Sequence, residues 1–158
     1  MDKNAVLNIV RSTAGTVGID PNLAQAIAEV ESSLDPTVAR YEKNFPYILT
    51  PDKFAKTLNI STETEHEFQK FSWGVMQLMG VCARELGFQS MLPLLIQPSL
   101  GALYGCRKLH AVMKKNPKLE DAISAYNAGT AVIKNGRYIN QEYVDKVMEK
   151  LVRIKRTK

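Results

Sequence analysis

This 158-residue sequence has no long hydrophobic run and contains only two cysteines and two histidines. No run approaches the roughly 18 apolar residues of a membrane-spanning helix, and residues 91–96, the longest candidate, contain Pro93. The first residues form no uninterrupted apolar segment, so we predict no signal peptide. Two cysteines are too few for a disulfide scaffold, and His66 and His110 lack the spacing of metal ligands. We therefore expect no metal and no other cofactor.

Positive and negative side chains balance along most of the sequence, and the excess positive charge lies at the C-terminal end. The net charge is +5, and residues 146–158 account for it with six basic side chains against Glu149 alone. We interpret this segment either as the solvated face of an ordinary helix or as a basic helix that contacts anionic envelope polymers and lipid headgroups. A small nucleic-acid-binding helical protein is the non-enzyme alternative. Because the charge is confined to one terminus, we expect no nucleic-acid partner.

Helical periodicity, by contrast, is abundant, and it predicts an all-α fold. With 45% hydrophobic and 23% charged residues, the composition is that of a globular protein, and the length favours one domain over residues 1–158. Residues 36–72 are the least regular part, and there Thr62 and Glu65 have the spacing of a capping box. Helices are predicted over residues 4–14, 51–58, 62–71, 78–86, 98–115 and 119–127. A further helix begins at Pro21 and is stopped by Asp35-Pro36, and the last helix begins near Asn140.

Glu31 is notable because it continues an apolar stripe of the second helix. Leu23, Ile27 and Glu31 are spaced four residues apart, whereas Glu29 falls on the polar side. A carboxyl group on such a stripe loses hydration, which raises its pKa and keeps a general acid protonated near neutral pH. The competing interpretation is that Glu31 simply lies at the edge of the apolar stripe and has no catalytic role.

Two further motifs combine a turn with amide or phenol side chains. In residues 73–79, Gln77 follows a glycine turn. Its amide either binds a substrate or, in the alternative interpretation, lies in solvent at the start of a helix. In residues 125–129, a helix ends with Tyr126 and Asn127. These are either residues of a functional site or an ordinary core tyrosine, Tyr126, followed by a capping asparagine, Asn127.

Three segments resemble the motifs of the soluble lytic transglycosylases, and they occur in the same order as in that family. They are Glu31-Ser32, Gly74-Val75-Met76-Gln77 and Ala125-Tyr126-Asn127-Ala128-Gly129. These goose-type-lysozyme-like enzymes cleave peptidoglycan. The resemblance spans roughly residues 20–148, but Val75 stands where leucine is usual and the gap before Gly74 is long. It implies a single lysozyme-like helical domain with an irregular insertion, residues 36–72, that borders the cleft.

The resemblance also implies a role for each matching residue. Glu31 is the catalytic acid and then the base, and Tyr126 is a catalytic residue that lies beside Glu31 and orients it. Gln77 and Met79 line the saccharide site near the N-acetyl group, Asn127 holds its loop, and Tyr143 in the last helix completes the cleft. The full set of implied substrate-binding residues is Ser32, Gln77, Met79, Asn127 and Tyr143.

The motifs supply only one carboxyl group, whereas most glycosidases use two. Substrate assistance is the alternative: the N-acetyl oxygen of N-acetylmuramic acid attacks the anomeric carbon, and the product is a 1,6-anhydro sugar. This outcome is implied by the resemblance. If Glu42, Asp35 or another carboxylate of the insertion reaches the cleft instead, it would activate water, and the enzyme would be a goose-type muramidase.

The same resemblance also implies an origin for the protein and a place where it acts. A peptidoglycan enzyme without a visible signal peptide resembles a bacteriophage endolysin or a virion-borne lysin, although a periplasmic enzyme without its leader would look alike. We expect a protein that is made in the cytoplasm, acts on the cell wall or periplasm as a monomer, and has peptidoglycan strands as its partner.

Overall fold

Most of the described chain is helical, as predicted for an all-α protein. The computed structural model describes residues 2–157. In chain order the elements are α1 (Lys3–Val17), α2 (Pro21–Ser32), β1 (Ala39–Tyr41), α3 (Pro51–Leu58), α4 (Thr62–Gln69), β2 (Phe71–Trp73), β3 (Leu78–Met79), α5 (Gly80–Glu85), a 3-10 helix (Leu92–Ile96), α6 (Pro98–Lys115), α7 (Leu119–Ala128), β4 (Ile133–Lys134), β5 (Arg137–Tyr138) and α8 (Gln141–Arg156).

The main hydrophobic core lies between α1, α2, α6, α7 and α8. α2 begins as predicted, because the Asp20 side chain accepts a hydrogen bond from the Asn22 backbone N–H at 2.8 Å and Pro21 occupies the first turn. α1 and α8 both pack against α2, which fixes the position of its C-terminal end. The core includes Val6, Val10, Leu23, Ile27, Cys106, Leu109, Ile123 and Val147.

A three-stranded antiparallel sheet, which the periodicity did not predict, lies beside this core. In it Arg40 is opposite Ser72, and Ser72 is opposite Met79. Strands of two or three residues are too short to show an alternating pattern. The helix predicted over residues 78–86 is correspondingly shorter, because Leu78 and Met79 pair with β2 before α5 begins. A separate hairpin of β4 and β5 precedes α8.

Residues 36–72 are more ordered than the sequence suggested. Both predicted helices are present, but the cap of α4 is Ser61, whose hydroxyl accepts from the Thr64 N–H at 3.1 Å, and not Thr62. Glu65 has a different role from the predicted capping box. Its carboxylate is fully buried and accepts two hydrogen bonds from Arg84, each of 2.8 Å. This ion pair joins the α3–α4 hairpin to α5.

The sheet, α5 and the 3-10 helix enclose a second, smaller hydrophobic cluster, formed by Trp73, Leu78, Ala83, Phe88, Leu92 and Leu95. A cleft lies where the sheet meets the helices of the main core, and residues from both sides line it. None of the helices within residues 2–157 is both long and apolar enough to cross a membrane.

Candidate active site

Glu31 lies in the last turn of α2, at the point where the apolar stripe leaves the core. Its neighbour on the stripe, Ile27, is fully buried, and Glu31 itself is partly buried. The Tyr143 hydroxyl, contributed by α8, donates a hydrogen bond of 2.7 Å to Glu31 Oε1. Burial raises the pKa of the Glu31 carboxyl, and the Tyr143 hydrogen bond and the charges of Lys108 and Arg40 only partly oppose the rise. The raised pKa expected from the stripe is therefore confirmed.

Glu29, two residues earlier, has the opposite environment. Burial alone would raise its pKa, but hydrogen bonds from Gln25 and Lys150 and the charge of Arg153 lower it overall. Lys150 Nζ lies 3.2 Å and Arg153 Nη2 3.5 Å from Glu29 Oε2. The pKa values of these two neighbouring glutamates are thus shifted in opposite directions.

Two adjoining cavities form the cleft, and Glu31, Arg40 and Asn127 line both of them. The helix-side cavity, about 420 Å³, is closed mainly by residues 139–143 and Lys146. The sheet-side cavity, about 290 Å³, has walls from the sheet, α6 and α7. Glu31 therefore lies at the junction of the two cavities.

The second motif forms the tight turn between β2 and β3. Gly74 has a φ of 72°, and a Cβ at this position would lie 2.2 Å from the Leu95 carbonyl oxygen, so only glycine fits. Gln77 also has a positive φ, 46°, and its amide donates to the carbonyls of Val38 and Gly74, both at 2.9 Å. Since both amide hydrogens are used within the protein, the Gln77 side-chain oxygen is the group left to accept from a ligand in the sheet-side cavity.

Ser32 does not face the cleft, contrary to the implied substrate-binding role. It is 8% exposed, and its hydroxyl lies 2.8 Å from the Val75 carbonyl oxygen and 3.2 Å from that of Ala28. The hydroxyl thus holds the second motif against α2. Met79 does line the sheet-side cavity, and its sulfur accepts a hydrogen bond from Ser72 at 3.1 Å.

The third motif supplies a buried ring and an exposed amide. Tyr126 lines the sheet-side cavity with Glu31, but its hydroxyl donates to the Met76 carbonyl oxygen at 2.9 Å and not to the carboxylate. The expected orienting contact with Glu31 is made by Tyr143 instead. Asn127 lines both cavities, and its side-chain oxygen accepts from Asn140 at 3.0 Å.

Three cations line the cleft, namely Arg40, Lys108 and Lys146. Arg40, on β1, forms an ion pair of 2.7 Å with Glu42. Lys108, which the sequence did not reveal, lies on α6 with its ammonium 4.6 Å from the centroid of the Tyr126 ring. On a helix with an ordinary apolar stripe, nothing local distinguishes a lysine that reaches a cleft from one in solvent.

Of the two carboxylates proposed to act with Glu31, only Glu42 lines the cleft, in the sheet-side cavity. Asp35 instead accepts hydrogen bonds from the Thr37 N–H and hydroxyl, at 2.9 and 2.7 Å, in a local turn. In the described part of the chain, no group of three or more His, Cys, Asp or Glu side chains is arranged to hold a metal ion.

Comparison with known proteins adds one finding. The family model described as the transglycosylase SLT domain matches residues 8–148, a range that contains all three motifs and every residue assigned above to the cleft. No curated protein and no solved structure matches the chain. The match covers most of the sequence, and the chain therefore belongs to the SLT-type lytic transglycosylase family, enzymes that act on peptidoglycan.

Proposed function

We propose that this protein cleaves the β-1,4 bond between N-acetylmuramic acid and N-acetylglucosamine and leaves a 1,6-anhydro-N-acetylmuramic acid end. The observation that supports this most is the position of Glu31, a carboxyl group with a raised pKa at the junction of two cavities. A group in that position reaches a bond that joins sugars bound on either side.

In the proposed mechanism Glu31 acts first as the acid and then as the base. Protonated Glu31 gives its proton to the leaving glycosidic oxygen while the N-acetyl oxygen attacks the anomeric carbon. The resulting carboxylate then accepts the proton of the C6 hydroxyl of the same sugar. The C6 oxygen forms the new bond to the anomeric carbon, and the N-acetyl oxygen leaves. Water is not consumed.

The surroundings of Glu31 suit both steps. Burial favours the protonated acid before cleavage, and the Tyr143 hydrogen bond and the charges of Lys108 and Arg40 favour the carboxylate that forms afterwards. Without these partners the pKa of Glu31 would be higher still.

A goose-type muramidase is the second candidate, and the position of Glu42 favours it. Glu42 lines the sheet-side cavity with Glu31 and is the carboxylate through which a water would be activated. It also accepts a hydrogen bond of 2.7 Å from Arg40, which lines the same cavity. In that case the enzyme would hydrolyse the same bond, with Glu31 still as the acid.

Mass spectrometry of the digested peptidoglycan decides between the two candidates. After borohydride treatment, 1,6-anhydro ends resist reduction, whereas the ends produced by a muramidase gain two hydrogens. We expect unreduced ends that are lighter by one water than muramidase ends. Predominantly reducible muramic acid ends would replace the transglycosylase mechanism with the muramidase one.

Glu31→Gln and Glu29→Gln provide the matched controls for this digestion. The first change is isosteric and removes proton transfer, and we expect cleavage to fall by at least about 10²–10⁴-fold while the fold is retained. The second removes a carboxylate from the same helix turn outside the cleft, and we expect near-normal cleavage. A folded Glu31→Gln variant that clears peptidoglycan normally would contradict the assignment of Glu31.

We further propose that the activity serves bacterial cell lysis, with the protein acting on the wall or periplasm of a phage-infected host or carried in a virion. We also propose that the enzyme acts as a monomer. Expression in the cytoplasm with and without a membrane-permeabilising holin tests this setting, since rapid loss of turbidity is expected only with the holin. Rapid lysis without it would contradict a need for pore-dependent release.

A further inference from the structure

The Lys108 side chain occupies a position in the cleft that the proposed mechanism does not require. It lines the sheet-side cavity together with Glu31 and Gln77, and it reaches this cavity from α6. Its ammonium lies 4.6 Å above the Tyr126 ring, and that ring is fixed by the hydrogen bond from its hydroxyl to Met76. The contact with the ring therefore favours this position of the ammonium in the cavity.

Lys108 differs from the other cations of the cleft because no carboxylate is paired with it. Arg40 pairs with Glu42 at 2.7 Å, and Lys146 pairs with Glu142 at 2.6 Å. No ion pair among residues 2–157 includes Lys108. An ammonium has three N–H donors, and an aromatic face satisfies only part of this capacity. A partly buried cation in this state is complementary to an anionic acceptor on a ligand.

The reacting sugar itself is a poor partner for this cation. Positive charge develops at the anomeric carbon during glycosidic cleavage, so a nearby ammonium would oppose the reaction there. The sugar hydroxyl and acetamido groups are neutral. The anionic groups of peptidoglycan are the carboxylates of the peptide stems attached to muramic acid.

We propose that Lys108 binds a stem-peptide carboxylate and so makes the enzyme select glycan whose stems carry free carboxylates. This inference rests on the proposed function, because it takes the muramic acid unit to bind in the cleft beside Glu31. Lys108 is then a specificity residue, and its charge acts on the substrate in addition to its influence on Glu31.

The test compares two forms of the same peptidoglycan strands. In one form the stem carboxylates are free, and in the other they have been converted to primary amides with carbodiimide and ammonium. For the unaltered enzyme we expect kcat/KM about tenfold higher on the free-acid strands, as for the loss of a charge-assisted hydrogen bond. Lys108→Met retains the aliphatic stem over the ring and should abolish this preference, whereas Lys108→Arg should retain most of it.

Lys115→Met is the matched control, since it removes an exposed charge from the same helix outside both cavities and should keep the preference. A free-acid preference that is unchanged in Lys108→Met would overturn the inference, as would its absence in the unaltered enzyme. Equal losses of Lys108→Met on both strand forms, with a shifted pH profile, would show that Lys108 acts only through Glu31. Failure of the proposed function has a different signature, namely no anhydro ends from either form.

Discussion

Tyr143 and Tyr126 both lie next to Glu31 in the cleft, but their hydroxyls donate to different acceptors. The Tyr143 hydroxyl donates to the carboxylate itself, and the Tyr126 hydroxyl donates to the Met76 carbonyl. The first bond stabilises the ionised form of Glu31, and the second fixes the turn of the second motif against α7. At the scale of single residues, the two phenols therefore have separable functions.

We expect Tyr143→Phe to change the pH dependence of cleavage. The Tyr143 hydrogen bond lowers the pKa of Glu31, so its removal lets that pKa rise further. Because Glu31 must be protonated to act as the acid, activity should persist to higher pH, and the basic limb of kcat/KM should move to higher pH. The pH profile of cleavage of soluble glycan fragments measures this.

Tyr126→Phe is the comparison for that measurement. It removes the bond to Met76, and we expect the free energy of unfolding to fall by about 1 kcal/mol with the basic limb unmoved. If Tyr126→Phe shifts the limb and Tyr143→Phe does not, the orienting role returns to Tyr126.

At the scale of elements, the buried pair of Glu65 and Arg84 decides whether the α3–α4 hairpin is docked. Both side chains are fully buried, and Arg84 also donates to the carbonyls of Phe88 and Ser90, at 2.6 and 2.8 Å. The pair thus joins α4, α5 and the segment that follows α5. Because β1 precedes this hairpin and β2 follows it, the docking also supports the sheet wall of the cleft.

Glu65→Gln should destabilise the protein strongly, because it leaves the buried Arg84 charge without a compensating carboxylate. We expect a loss of about 3–5 kcal/mol in the free energy of unfolding, measured by urea denaturation. Glu63→Gln, an exposed change on the same helix, should cost no more than about 0.5 kcal/mol. Equal stability of the two variants would show that the hairpin is held by its apolar contacts alone.

At the scale of the whole molecule, the basic C-terminal helix is less free than its composition indicates. Lys150 and Arg153 pair with Glu29, and Lys155 Nζ lies 3.6 Å from Asp20 Oδ2. The acidic partners come from α2 and its cap, so the packing of α8 on α2 compensates charges that are far apart in sequence. Arg156 has no ion-pair partner within residues 2–157, and Lys158, which also belongs to the basic segment, lies outside the described residues.

We expect the remaining positive charge of α8 to attract the enzyme to anionic envelopes without taking part in cleavage. Replacing both Lys155 and Arg156 with Gln should lower activity on whole envelopes by about 30-fold at low salt, at about 1 kcal/mol per basic residue. The difference should shrink with added salt, since screening acts over about 8–10 Å. Cleavage of soluble glycan fragments should be unchanged, and equal losses on both substrates would contradict this division.

Local signals were sufficient for much of the fold. Proline and the capping residue Asp20 gave the start of α2, and Pro98 the start of α6, because these signals act within one helical turn. The apolar stripe likewise placed Glu31 at the edge of the core and gave the direction of its pKa shift. The three motifs, read in order, were sufficient for the family.

Only the tertiary structure decided which groups meet Glu31. Tyr143 lies 112 residues away along the chain, and no rule of helix or strand spacing acts over that distance. The same holds for the burial of Ser32 against Val75 and for the position of Lys108 over the Tyr126 ring. Periodicity determines which face of a helix is apolar, whereas the packing of α2, α6 and α8 determines which polar side chains share a cleft.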